Sequence, residues 1–88
     1  MPKEYQQYKV DRYGIVKNKV CKDPNLSVQA KGLYAILSCY ANKNRICWPS
    51  ISTLADDCGS SQSSIKRWIK ELKSYNYIRR KGNKLIIL

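Results

Sequence analysis

Residues 50–72 read SISTLADDCGSSQSSIKRWIKEL: two apolar stripes at helical spacing on either side of one glycine. Ser50 can cap a helix whose inward residues are Ile51, Leu54, Ala55 and Cys58. Ser61 can cap another, with Ile65, Trp68, Ile69 and Leu72 inward. Three positions tie the two helices together. Ala55 is the small residue needed where they cross. Gly59, four residues on, suits the left-handed position that ends a helix. Ile65, six further on, is the β-branched wedge between them. The spacing predicts two short helices packed across a tight turn.

Upstream, Ser27 is a cap preceded by Leu26, and Ala30, Leu33, Leu37 and Tyr40 follow at +3, +4, +3 spacing. Tyr34, Ile36 and Ala41 widen this stripe, which predicts a helix over 28–41. Residues 42–45 (NKNR) break it, and Ile46-Cys47-Trp48 reads as a short extended piece. Asp23-Pro24-Asn25 is a turn. Lys9 to Val20 mixes β-branched residues with charges and reads as an extended segment or short strand. Residues 1–9 form a polar, Tyr-rich arm. Downstream, Asn76 can take the left-handed position that ends the third helix. Residues 77–80 and 84–88 read as two strands joined by Gly82-Asn83, a two-residue hairpin signal with glycine first. The organisation is therefore 1–25 as arm and short strand and 26–88 as the folded domain. Trp48 and Trp68 are expected in the core. Cys39, Cys47 and Cys58 fall on apolar positions, and Asp56 and Asp57 diverge too far around a helix to share one metal.

Composition narrows the function. Eighty-eight residues make one small domain. Seventeen Lys+Arg against six Asp+Glu give +11. Residues 61–88 carry eight basic groups and one acid, net +7, against net +4 for residues 1–60. Such a field draws polyanions and releases their counterions. Histidine is absent, which excludes Ser-His and Cys-His catalytic pairs and His-containing zinc sites. The four cysteines form no C-x-x-C pair. The longest aliphatic run is Leu85 to Leu88, far below a membrane span. No phosphate loop is present, and no cofactor is called for. The expectation is a cytoplasmic, non-enzymatic module without a membrane partner.

Leu26-Ser27, Ala30-Lys31-Gly32-Leu33-Tyr34, Pro49-Ser50, Leu54-Ala55, Gly59-Ser60-Ser61, Leu72 and Tyr77-Ile78 together carry a resemblance. Residues 26–78, 53 of the 88, resemble the winged helix-turn-helix domain of phage and plasmid replication proteins and regulators. Asn76 stands where that family usually has Gly, and Ser64 where Thr is frequent. The resemblance implies a mainly α fold: three helices plus a short two- or three-stranded wing sheet. It also implies a DNA-binding function, in transcription control or replication initiation of a mobile element. The alternative is a replication accessory that holds single-stranded DNA without sequence preference and docks on a partner enzyme.

In such domains the third helix enters the major groove, N-terminal half first. At about 100° per residue, Gln62, Ser63, Lys66, Arg67 and Lys70 point away from its apolar side. Gln62 suits adenine and Arg67 guanine, each by a bidentate contact. Ser63 and Ser64 suit a base or a phosphate, and Lys66 and Lys70 suit phosphates. Ser50 and Ser61 stand at helix starts, where free N–H groups favour a phosphate. Arg79, Arg80, Lys81 and Lys84 on the wing would follow the backbone or reach the adjacent minor groove. Duplex DNA ranks ahead of single-stranded DNA as partner, with a homodimer or a replication protein as further candidates.

Overall fold

The computed structural model describes residues 14–88. Among them are four helices and three short strands: α1 (Asn18–Cys21), α2 (Val28–Tyr40), β1 (Ile46–Cys47), α3 (Ile51–Cys58), α4 (Gln62–Ser74), β2 (Ile78–Lys81) and β3 (Lys84–Ile87). The fold is the winged helix-turn-helix that the spacing and the resemblance predict, with the wing as a three-stranded antiparallel sheet ordered β1-β3-β2. The arm at 1–9, with Tyr5 and Tyr8, lies outside the described residues, as does Tyr13.

Local chemistry sets the helix ends. The Ser27, Ser50 and Ser61 hydroxyls accept from the N–H groups of Ala30, Thr53 and Ser64, at 3.1, 3.0 and 3.2 Å. Each satisfies one of the donors that a helix start leaves free. Gly59 closes α3 at φ 62, with the Ser60 N–H reaching back to the Ala55 carbonyl at 3.0 Å. Asn76 closes α4 in the same way at φ 62, and the Tyr77 N–H donates to the Leu72 carbonyl at 3.0 Å. Gly82, at φ 61, opens the turn between the paired Lys81 and Lys84.

One core joins these parts. Ala30, Leu33, Tyr34 and Leu37 of α2, Leu54 and Ala55 of α3, and Ile65, Ile69 and Leu72 of α4 are buried. Cys47, Ile78, Leu85 and Ile87 bring the inward side of the sheet to them. Ala55 and Ile65 occupy the crossing and wedge positions, at 8% and 0% exposure. The Tyr77 ring meets Tyr34 edge-on, with centroids 6.5 Å apart, a favoured arrangement for aromatic quadrupoles.

Four expectations need correction. The described end of the Lys9–Val20 segment is no strand. Residues 18–21 form a single helical turn whose Val20 is fully buried in the core. The turn satisfies its polar groups locally, with the Val20 and Cys21 N–H groups donating to the Lys17 carbonyl at 3.0 and 3.3 Å. Trp48 is 58% exposed, because Cys47 takes the inward place of the short β1 and alternation turns its neighbour out. Tyr40, in the last turn of α2, is also exposed, and its hydroxyl bonds the Asp57 carboxylate. Cys39 is exposed rather than apolar-facing. Trp68 packs against the core but is only partly buried, while Cys47 is buried deeply enough to push its thiol up to about 11.

Candidate nucleic-acid interface

The exposed side of α4 is built by the placement of its apolar side. With Ile65, Ile69 and Leu72 buried, Ser63, Arg67, Lys70 and Ser74 fall within about 60° of one another on the far side. All four are exposed, as are Gln62, Lys66 and Lys73 on the adjoining flank. Ser64 differs. It is half-buried, and its hydroxyl accepts from that of Ser61 at 3.0 Å. The Ser50 hydroxyl is likewise engaged with Thr53 Oγ1, at 2.9 Å. What these two caps leave toward solvent is the start of α3 and the start of α4, where backbone N–H groups and the helix dipole favour an anion.

The one acid of α4 is taken out of this face. Glu71 lies on the opposite flank. Its carboxylate accepts from the Ser27 N–H at 2.7 Å and from the Ser27 hydroxyl at 2.9 Å. A charge that would oppose polyanion binding is spent on the start of α2. These residues stand 44 positions apart, so no local pattern announces the pair.

The wing carries the remaining cations. In β2 and β3 the paired residues are Ile78 with Ile87, Arg79 with Ile86, Arg80 with Leu85, and Lys81 with Lys84. Alternation puts Arg79, Lys81 and Lys84 on the outward side of the sheet and Arg80 on the inward side, beyond the edge of the core. Arg79, Arg80 and Lys81 are exposed and Lys84 is half-buried. A shallow cleft lined by Lys73, Asn76, Ile78, Arg79, Arg80 and Leu88 joins the end of α4 to the wing. Lys73 is thus the residue that sequence reasoning passed over. Its signal was present, since Gln62, Lys66 and Lys73 recur at +4 and +7 on one flank.

Asp56 and Asp57 are exposed. Among the described residues no three His, Cys, Asp or Glu side chains gather as a metal site needs. Among the same residues no helix is long and apolar enough to cross a membrane.

Comparison with known proteins agrees with this fold. The chain is similar to a solved structure described as "Structure of MDR initiator": 22% identity, TM-score 0.68, covering 96% of this chain and 81% of that one. At this identity the likeness shows a shared architecture. The chain is also 27% identical over 64 residues to Protein YmfN of Escherichia coli (strain K12). That match covers 73% of this chain but only 14% of the relative's length. Residues 25–78 match the helix-turn-helix domain family, the span from the Asp23–Asn25 turn through all three larger helices. On that match, and on the fold beneath it, the chain belongs to the helix-turn-helix domain family, a DNA-binding family.

Proposed function

We propose that the chain binds duplex DNA with α4 in the major groove and the wing along the adjacent backbone. The observation that carries this reading is the exposed row Ser63, Arg67 and Lys70, flanked by Lys66, on a helix whose single acid is engaged elsewhere. Gln62 and Arg67 read base edges, with Ser63 beside them. Lys66, Lys70, Arg79, Arg80, Lys81 and Lys84 hold phosphates, as do the helix starts at Ser50 and Ser61. The process served is replication initiation or transcription control of a phage or plasmid element in the cytoplasm. The structural neighbour's description as an initiator supports the first of these.

A second reading is a replication accessory that holds single-stranded DNA and assists a partner enzyme. The exposed Trp48 favours it, since a solvent-facing indole is a stacking surface for unpaired bases. Fluorescence anisotropy with labelled random duplex and random single strand, each at two salt concentrations, separates the readings. Groove binding gives tighter duplex affinity with a steep salt slope. Arg67→Ala should then lower the affinity of a selected site by about five- to hundredfold, the discrimination of one bidentate base contact. Duplex affinity unchanged by Arg67→Ala and by Lys66→Ala would reject the groove model.

A further inference from the structure

Resting on the single-strand reading just given, we infer that the outward side of the wing sheet is a second nucleic-acid surface. It takes unpaired DNA and is separate from the row on α4. The register defines it. Ile46 pairs with Ile86, and Ile86 with Arg79, which makes one row across the three strands. Continuing β1 by one residue sets Trp48 opposite Lys84, which pairs with Lys81, and this makes the next row. Cys47, Leu85 and Ile87 point into the core, so Ile46, Trp48, Lys84 and Ile86 alternate outward with Arg79 and Lys81.

The composition of this surface selects its occupant. Trp48 is 58% exposed, Ile46 and Ile86 are half-buried, and Arg79 and Lys81 are exposed. No acidic residue occurs in β1, β2 or β3. Strands lie about 4.8 Å apart, so Lys84 and Lys81 stand roughly 5 and 10 Å from the Trp48 backbone. Their long side chains can follow a sugar-phosphate chain leaving a base stacked on the indole. An aliphatic floor alone would suit a protein partner, but an indole edged by three cations and no acid is complementary to a polyanion with flat faces. A duplex keeps its bases stacked inside and offers the indole nothing, so the ligand is single-stranded.

The test uses the 88-residue chain and a fluorescein-labelled oligodeoxythymidine of about 15 nucleotides, within the usual range of site sizes. A labelled duplex is the second probe. Trp48→Ala should weaken oligodeoxythymidine binding by roughly five- to hundredfold, the range carried by one aromatic–base stack. The double change Lys81→Gln with Lys84→Gln should weaken it and flatten its salt slope by about 1.4. Trp48→Ala should leave duplex affinity within about twofold, and Arg67→Ala should show the converse pattern. In a Trp68→Phe background, oligodeoxythymidine should quench the remaining Trp48 fluorescence. Circular dichroism checks that each variant is folded. Single-strand affinity unmoved by Trp48→Ala, or lowered equally by Arg67→Ala, overturns the assignment. So does a second copy of the chain on this face, seen in light scattering as a dimer that Trp48→Ala dissolves without changing single-strand affinity. Failure of duplex binding alone would reject the groove reading and leave this surface standing.

Discussion

Glu71 does the work of a local cap from a distance. A capping box satisfies helix-start donors with a carboxylate three residues on. Here the carboxylate comes from α4, 44 residues away, and bonds both the Ser27 N–H and the Ser27 hydroxyl. The same hydroxyl accepts from the Ala30 N–H, so the start of α2 is tied in two directions. Glu71→Ala leaves the Ser27 N–H unpartnered in a partly buried place. It should cost about 1.5–3 kcal/mol, the range for hydrogen bonds to a charged group, in urea unfolding followed by tryptophan fluorescence. Glu71→Gln keeps one acceptor oxygen and should cost less. A loss for Glu71→Ala below about 0.5 kcal/mol, the level of an ordinary surface change, counts against the clamp. Asp23 and Tyr77 make a second distant pair, with the hydroxyl donating to the carboxylate at 2.6 Å. That bond, helped by the Asn25 N–H and the Lys31 charge, holds Asp23 below its usual 3.8. Donation to Asp23 in turn holds Tyr77 above 10. The Asp23 contribution is therefore whole above pH 3.8 and lost as pH falls below it, while the Tyr77 contribution is whole below pH 10 and lost above it. The Tm gap between wild type and Tyr77→Phe should be flat from about pH 5 to 9 and should narrow on both sides. A gap that stays constant down to about pH 2 would show that the pair does not couple to folding.

At the level of elements, what was legible in the sequence is what depends on near neighbours. Ser27, Ser50 and Ser61 cap because each is followed by an apolar stripe at helical spacing, and the cap bond closes within three residues. Gly59, Asn76 and Gly82 mark left-handed backbone because few side chains tolerate it. The fates of α1 and Trp48 were not legible, since each is set from outside its own segment. Val20 sits in a helical turn because the core receives it there. Trp48 faces out because a two-residue strand has one inward place, and pairing with Leu85 gives that place to Cys47. In the candidate interface, the outward residues of α4 were readable from the helical wheel. The removal of Glu71 and the cleft that gathers Lys73 with Arg79 and Arg80 were not, because both need the tertiary fold. The turn between α3 and α4 offers the direct test. A Cβ at Gly59 would meet nothing within 4 Å, so Gly59→Ala is penalised by backbone alone. It should destabilise by about 1–2 kcal/mol, and Gly59→Asn by less, since Asn76 already holds the same φ in this chain. Equal losses for Ala and Asn would point to an unseen packing role for Gly59 instead.

At the scale of the whole molecule, charge is segregated along the chain and then concentrated by the fold. Residues 61–88 hold eight of the seventeen cations and one acid, and these residues are α4 and the two longer strands of the wing. Folding withdraws the acid to Ser27 and brings Lys73 beside Arg79 and Arg80, so the local field exceeds what the net +11 suggests. Salt dependence measures how much of that field meets phosphate. If Lys66, Lys70, Arg79, Arg80, Lys81 and Lys84 all neutralise phosphates of a duplex, the slope of log K against log salt should be about −5. The sheet-face surface argued above alters the count, because Lys81 and Lys84 then have a second employment. With duplex the slope should fall nearer −4, and on single strands the same two lysines should account for about 1.4 of the slope. Removing Lys66 and Lys70 together should lower the duplex slope by about two and weaken all sequences alike. Arg67→Ala should instead relax the preference among sequences, because a base contact adds discrimination and little counterion release. Anisotropy titrations of both variants on a selected site and on random duplex, over a tenfold range of salt, separate the two roles. A duplex slope near −1 for the wild type would mean that this cationic surface meets DNA at one point, and α4 could not then be lying in the groove.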